Sequence, residues 1–170
     1  MDSRLALALL VSVAVAAGFG DQLGLLDSFG KDVEPAPGQA RVERVVDGDT
    51  IKVRLDGRDE TVRYIGVDTP ETKKPGTPVQ CFGKAASAEN ERLVDGERLR
   101  LVVGEEARDR YGRLLAYVYR ERDDLFVNER LVAGGFATTL TIRPNDRYER
   151  TFAAAEARAK ASGRGLWGRC

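Results

Sequence analysis

The sequence predicts an α+β domain in which five short strands close into a small barrel with about three helices packed outside it. Three observations support this fold class. The length, 170 residues, suits one domain with an appendage. Beyond residue 40, segments of alternating apolar and polar residues are typical of half-buried strands, and other segments have apolar residues at helical spacing. In chain order, these patterns give three strands, a helix, two strands and two helices.

The first three strands are predicted over Arg41–Val46, Thr50–Leu55 and Glu60–Val67. Apolar and polar residues alternate along the first two, as expected where one face of a sheet is buried. Asp47-Gly48-Asp49 and Asp56-Gly57 separate the three strands with residues that favour tight turns. These signals predict an antiparallel meander at the start of the domain.

The remaining elements begin with a helix over Phe82–Val94, which carries alanines and a leucine at helical spacing. Strands four and five are predicted over Arg98–Val103 and Arg113–Tyr119. A short helix over Phe126–Ala133 and an alanine-rich helix over Asp146–Ala161 follow. The OB fold, a five-stranded barrel that often binds nucleic acid, is the simplest arrangement of these elements.

Composition restricts the possible chemistry. The chain contains no histidine, which excludes His-ligated zinc sites, Ser-His-Asp hydrolases and Cys-His proteases. Catalysis would therefore use carboxylates, arginines, hydroxyls or a bound ion. Residues 40–170 carry 25 basic and 22 acidic residues. This mild excess suits a polyanionic partner without requiring one.

The N-terminal segment is predicted to direct export. Residues 5–20 are sixteen uncharged, mainly apolar residues that follow Arg4. As a helix they would span roughly 24 Å, less than the ~30 Å hydrocarbon core of a bilayer. Ala14-Val15-Ala16 offers a cleavage pattern for a signal peptidase. Residues 1–26 are interpreted as a signal peptide or an N-terminal membrane anchor, and a buried helix of the domain is the third alternative.

A linker rich in proline and glycine is predicted over residues 27–40, followed by the folded domain over residues 41–170. We expect this domain to be monomeric and either secreted or anchored on the outer side of the membrane. Cys81 and Cys170 lie too far apart in sequence for a C-x-x-C motif. Two independent thiols would be expected in a reducing cytosol, but export favours a disulfide between them.

Two acidic loops carry the strongest chemical signal. Asp47-Gly48-Asp49-Thr50 joins the first two strands, and Val67-Asp68-Thr69-Pro70-Glu71-Thr72 follows the third. Each alone is typical of a turn. Together they place Asp49, Asp68 and Glu71 at the ends of adjacent strands, where three carboxylates would repel one another without a cation. Oxygen ligands of this kind suit a hard cation such as Ca²⁺.

Two arginines are associated with these loops. Arg63 lies on the strand that leads into the second loop, and Arg113 begins strand five. A single arginine in such an arginine-rich chain is most often a solvated surface residue. As a pair, these two could bind a phosphate through bidentate forks that stay charged at any useful pH. Carboxylates, a divalent ion and two arginines together form a set of groups suited to phosphodiester hydrolysis.

The segments VVDGDTIKV, VRYIGVDTPET, DRYGRLLAYVY and the closing GLW resemble the staphylococcal (thermo)nuclease family. The likeness covers roughly residues 41–168, and its most specific part is Val62–Thr72. The family consists of OB-fold, Ca²⁺-dependent phosphodiesterases that act on DNA and RNA and leave 3′-phosphates. The resemblance implies the same fold, cofactor, reaction and substrate class for this chain.

The resemblance also implies the metal ligands and the group that activates water. Asp49 and Asp68 would bind Ca²⁺ through their side chains, and Thr69 would bind it through its backbone carbonyl. Glu71 would act as the general base or orient the attacking water.

The same resemblance implies how the substrate is held. Arg63 and Arg113 would bind the scissile phosphate and stabilise the charge that builds on it, and Tyr111 with Arg110 would contact the nucleotide. One segment departs from the pattern: residues 138–145 read TTLTIRPN, without the family's two tyrosines and with one residue fewer. Base stacking contributes about 1–3 kcal/mol per base, so this departure affects substrate affinity or preference.

Two other functions are compatible with the fold. A catalytically inactive OB module could bind single-stranded nucleic acid, but it would not require Asp49, Asp68 and Glu71 together. A Ca²⁺-stabilised structural surface domain would leave Arg63 and Arg113 without a role. Hydrolysis uses all five residues and is therefore the function that the sequence predicts.

Overall fold

The computed structural model describes residues 39–73, 76 and 78–170. The predicted leader and nearly all of the predicted linker lie outside the described residues. Within the described residues there are eight strands and four helices. In chain order these are β1 (Gln39–Val45), β2 (Thr50–Leu55), β3 (Arg58–Tyr64), β4 (Gly66–Asp68), α1 (Gly83–Val94), β5 (Arg98–Arg108), β6 (Leu114–Arg120), β7 (Leu125–Phe126), α2 (Val127–Ala133), β8 (Thr138–Leu140), α3 (Glu149–Ala161) and α4 (Leu166–Arg169).

Strands β1, β2, β3, β5 and β6 form the barrel. β1, β2 and β3 form the predicted antiparallel meander, and β5 pairs with β1 and β6. The barrel closes where β6 pairs with β3 in parallel. Alternation explains how β2 faces the core, since Ile51 and Val53 are fully buried and Lys52 between them is not. The predicted α+β barrel with helices packed against it is confirmed.

The three longer helices complete one hydrophobic core. Leu93 of α1, Leu131 of α2 and Phe152 of α3 belong to the same buried cluster as the inward residues of the barrel. The buried Asn128 of α2 accepts a hydrogen bond from the Val118 N–H of β6 and donates one to the carbonyl of Ile65, which lies between β3 and β4. The strand end that leads into the second acidic loop is thereby fixed to the core.

The third predicted strand differs from the observed one because the chain turns at its end. Gly66 has φ +79°, and a Cβ there would lie 2.3 Å from the ring of Phe152. β3 therefore ends at Tyr64, and β4 leaves the barrel to pair with β8. β5 continues to Arg108, beyond the predicted end at Val103. The sequence did not predict β7, β8 or α4, which have two to four residues and show no periodicity.

Cys81 and Cys170 form the expected disulfide, with their Cα atoms 6.0 Å apart. It joins the loop before α1 to the last residue of the chain. Within the described residues, none of the helices combines the length and the apolar character needed to cross a bilayer.

Reduction of this disulfide is expected to lower the free energy of unfolding by about 2–4 kcal/mol, because the bond restricts a long loop in the unfolded chain. Urea denaturation with and without a reductant measures the difference. The Cys170→Ser variant provides the control, since its midpoint should not respond to reductant. Identical midpoints for the unmodified chain in both conditions would contradict a stabilising role.

Candidate active site

A polar cavity of about 220 Å³, here called the carboxylate cavity, lies where β2 begins and β3 ends. It brings together the residues predicted to bind metal or act in catalysis. These are Asp49, Arg63, Asp68, Thr69, Glu71 and Arg113. The cavity also contains Asp47, which the sequence analysis treated as a turn residue. The two acidic loops thus meet at one site.

Asp49 connects the two loops. Its Oδ2 accepts hydrogen bonds from the backbone N–H of Thr69 at 2.8 Å and from the Thr69 hydroxyl at 2.9 Å. Its Oδ1 accepts a hydrogen bond from the Thr50 hydroxyl at 3.1 Å. The close approach requires glycine at position 48, because a Cβ there would lie 2.6–2.8 Å from Thr69 side-chain atoms. The D-G-D sequence therefore fixes Asp49 against the loop that carries the other carboxylates.

Arg63 lies between Asp49 and Asp68. Its Nη1 donates to the carbonyls of Tyr64 and Val67, each at 2.8 Å. Its Nη2 donates to Asp68 Oδ1 at 2.9 Å, and its Nε lies 3.3 Å from Asp49 Oδ1. The Arg63 side chain is 13% exposed, whereas that of Asp68 is 54% exposed. The guanidinium is therefore held in one orientation at the wall of the cavity.

Negative charge accumulates around this guanidinium. Burial raises the pKa of Asp68, the charge of Arg63 opposes that rise, and the carboxylates of Asp49 and Glu71 add to it. Burial also raises the pKa of Asp47, and repulsion from Asp49 raises it further. A cation in the cavity would reduce this repulsion. The carboxylates of Asp49 and Asp68 with the Thr69 carbonyl are oxygen donors that fit Ca²⁺.

The three predicted carboxylates line the cavity but do not form a compact ligand cluster. In the part of the chain that the structure describes, there is no group of three or more acidic or cysteine side chains close enough to hold a metal ion. Asp49, Asp68 and Glu71 thus line one cavity, but among the described residues they do not form a cluster of three carboxylates around one point. The physical reason is local, because Glu71 Oε1 accepts hydrogen bonds from the N–H groups of Thr72 and Lys73, at 2.8 and 2.7 Å.

Gln80 fixes the backbone of Glu71. The Glu71 N–H donates to Gln80 Oε1 at 2.7 Å, and the Gln80 N–H donates to the Glu71 carbonyl at 2.9 Å. Lys73 reaches across from the same loop and donates to the Val46 carbonyl. The sequence analysis missed Gln80 and Lys73, since no spacing rule brings side chains together across an irregular loop.

Asp109 positions Arg113, and the sequence analysis missed this contact. Arg113 Nε donates to Asp109 Oδ2 at 2.7 Å, while Asp109 Oδ1 accepts from the N–H groups of Tyr111 and Arg113. Partial burial alone would raise the pKa of Asp109, but these hydrogen bonds and the Arg113 charge outweigh burial and lower it. The spacing of four residues in D-R-Y-G-R is the signal that could have predicted the pair.

A second cavity of about 390 Å³, here called the Tyr111 cavity, adjoins the first through Arg63 and Arg113. The Tyr111 ring is 68% exposed, and its hydroxyl accepts a hydrogen bond from Arg110 Nη2 at 2.6 Å. Leu140 and Ile142 also line this cavity and are exposed. Aliphatic side chains thus occupy the segment where the family pattern has tyrosines.

Comparisons with known proteins show the family to which the chain belongs. Residues 61–169 match the family model of staphylococcal nuclease homologues. The thermonuclease of Staphylococcus intermedius is 46% identical over 128 residues, which are 75% of each chain. The chain belongs to the staphylococcal nuclease family. It is therefore a nuclease, and a hydrolase.

Further relatives of this nuclease include the thermonuclease of Staphylococcus hyicus, 42% identical over 127 residues, which are 75% of this chain and 74% of the relative. Endonuclease YncB of Bacillus subtilis (strain 168) is 44% identical over 128 residues, which are 74% of this chain and 60% of the relative. The span matched by the family model includes Arg63, Asp68, Glu71 and Arg113, and it begins after Asp49.

Proposed function

We propose that this nuclease is a Ca²⁺-dependent phosphodiesterase that hydrolyses DNA, RNA or both and leaves 3′-phosphates. One observation carries the proposal: Arg63 and Arg113 line the same cavity as Asp49, Asp68 and Glu71. The two arginines suit an anionic phosphate, and the oxygen donors suit a hard cation. A module that merely binds single strands has no need of both sets in one cavity.

Asp49 and Asp68, with the backbone carbonyl of Thr69, would hold the ion. When bound, Ca²⁺ supplies positive charge beside the scissile phosphate. The hydrogen bonds from Thr69 to Asp49 hold the two acidic loops together. The oxygen atoms that would bind the ion therefore need little rearrangement. A bound cation would offset the repulsion from Asp49 and Glu71 that contributes to the raised pKa of Asp68.

Glu71 would orient the attacking water and accept its proton. Its carboxylate is held by two N–H groups of its own turn, and Gln80 holds its backbone. Arg63 and Arg113 would bind the nonbridging oxygens of the phosphate and stabilise the charge that develops there. Their carboxylate partners orient both guanidinium groups before the substrate arrives.

Tyr111 and Arg110 would bind the nucleotide on one side of the phosphate. The exposed ring of Tyr111 offers a stacking surface, and Leu140 and Ile142 offer apolar contact in the same cavity. We also propose that the domain works outside the cell as a monomer, secreted or held at the membrane through residues 1–26. The Cys81–Cys170 disulfide supports an oxidising location.

The chemistry of the product ends tests the proposed reaction. The full chain is incubated with 5′-labelled single-stranded DNA and with RNA of matched sequence in the presence of Ca²⁺. Cleavage is expected to give fragments with 3′-phosphates, which a 3′-phosphatase removes with a visible shift in mobility. Fragments with 3′-hydroxyl ends would contradict the proposed reaction, and a bound complex without cleavage would favour the inactive binding module.

A further inference from the structure

A third cavity of about 270 Å³, here called the disulfide cavity, lies between the loop after β4 and the C-terminal residues. Pro70, Leu166 and the Cys81–Cys170 disulfide form an apolar part of its wall, and Thr138 adds a hydroxyl. Both cysteines are exposed and Leu166 is half-buried, so this wall is open to a ligand. Of the residues that line it, Asp68, Thr69 and Gln80 have roles assigned above. Pro70, Thr138, Leu166 and the disulfide have no assigned role in binding or catalysis.

The disulfide cavity is continuous with the carboxylate cavity. Asp68, Thr69 and Pro70 line both of them. Arg63 and Arg113 line both the carboxylate cavity and the Tyr111 cavity. Among the described residues, none lines both the Tyr111 cavity and the disulfide cavity. The carboxylate cavity therefore lies between the other two.

The two-stranded ribbon of β4 and β8 places the three cavities in the same order. Its Gly66–Leu140 pair lines the Tyr111 cavity, and its Asp68–Thr138 pair lines the disulfide cavity. The two pairs are separated by two residues along each strand, or about 7 Å. One ribbon thus has a cavity at each end and the proposed phosphate site beside it.

We infer that the disulfide cavity binds the nucleotide on the other side of the scissile phosphate from the nucleotide at Tyr111. The inference rests on the proposed function, because it places the phosphate in the carboxylate cavity. A phosphodiester within a chain joins two nucleosides, so a phosphate held there directs one nucleoside toward each neighbouring cavity. A volume of about 270 Å³ is slightly below the usual ~300–1,000 Å³ of sites for drug-sized ligands, and suits a smaller group such as one base.

The chemistry of the wall suits a base and its sugar. A nucleobase has two apolar faces and a polar edge, so it can pack on Leu166, Pro70 and the disulfide while its edge or sugar contacts Thr138. Among the described residues, no aromatic side chain lines this cavity. We expect contact through the face of the base, which tolerates different base sequences. Binding here would raise affinity for substrates that extend past the phosphate in both directions.

A dinucleotide, which contains a single phosphodiester, provides the test. Three versions are compared with the full chain in Ca²⁺: the complete dinucleotide, and two in which one or the other base is replaced by an abasic sugar. Leu166→Ala is expected to raise KM about fivefold for the complete dinucleotide through lost apolar contact. It should have little effect when the base on the disulfide side is already missing.

Ile142→Ala is the matched variant, since it shortens an aliphatic side chain of the Tyr111 cavity. It is expected to raise KM for the complete dinucleotide, and this rise should disappear when the base on the Tyr111 side is missing. Urea denaturation verifies that both variants are folded. If Leu166→Ala prevents folding, the Cys81→Ala/Cys170→Ala double variant replaces it and is expected to show the same dependence on the base.

Equal effects of Leu166→Ala on all three dinucleotides would overturn the inference, as would coupling to the same base as Ile142→Ala. Failure of the unmodified chain to hydrolyse any of the three, while it cleaves longer single strands, would also overturn it, because two occupied subsites should suffice for cleavage. Failure to hydrolyse nucleic acid of any length would instead contradict the proposed function.

Discussion

Glu71→Gln is expected to lower kcat by about 10²–10⁴-fold, the range by which general-base catalysis accelerates reactions. The amide keeps the size of the carboxylate, and its oxygen can still accept the hydrogen bonds from Thr72 and Lys73. It cannot accept a proton from water. The loss should therefore appear in kcat, with little change in the urea midpoint.

Glu43→Gln is the matched control, because Glu43 is a carboxylate on the surface of β1 whose partner is Arg54. Its kcat should equal that of the unmodified chain. Both variants are measured on the same single-stranded DNA at saturating Ca²⁺. An unchanged kcat in Glu71→Gln would remove Glu71 from the mechanism.

Arg113→Lys and Arg63→Lys are each expected to lower kcat by about 10²–10³-fold, as when a preorganised donor to transition-state charge is removed. Lysine keeps the charge but cannot reproduce the planar guanidinium, which presents several N–H donors in fixed directions. Arg63→Lys should also reduce stability, because the Nη1 bonds to the Tyr64 and Val67 carbonyls are lost. Arg113→Lys separates the catalytic effect from folding more cleanly.

Arg92→Lys is the control for losing a bidentate arginine–carboxylate pair away from the site. Arg92 donates two hydrogen bonds to Glu89 on the exposed side of α1. Its activity should be unchanged. Steady-state kinetics on one DNA substrate gives kcat and KM for all three variants. A rise in KM alone in Arg113→Lys and Arg63→Lys would mean that the arginines bind substrate and transition state equally.

Part of the site could be predicted from the sequence because its residues lie on paired strands or directly beside them. Alternation identified β2, and the Asp56-Gly57 turn signal led to β3, whose antiparallel pairing with β2 places Thr50 opposite Arg63. The loop before β2 and the arginine near the end of β3 must then be neighbours. Asp49 and Arg63 were predictable for this reason.

Other parts of the site depend on tertiary contacts that no periodicity encodes. At Gly66 the chain turns against Phe152, which is distant in sequence, and β4 then pairs with β8. The hydrogen bond between the Glu71 N–H and the Gln80 side chain joins residues nine positions apart that belong to no helix or strand. The third cavity exists because the disulfide brings the C-terminal Cys170 beside that loop.

The most direct test of Ca²⁺-dependent hydrolysis is a pH–rate profile of the full chain on single-stranded DNA with Ca²⁺, Mg²⁺ or a chelator. We expect activity with Ca²⁺, and we expect the rate to rise toward alkaline pH as hydroxide becomes available. The profile should show no step at about pH 6–7, because the chain has no histidine. Mg²⁺ should substitute poorly, since it requires a tighter octahedral shell. Full activity in the presence of the chelator, or a bell-shaped profile with an optimum at about pH 6, would contradict Ca²⁺-dependent hydrolysis by this site.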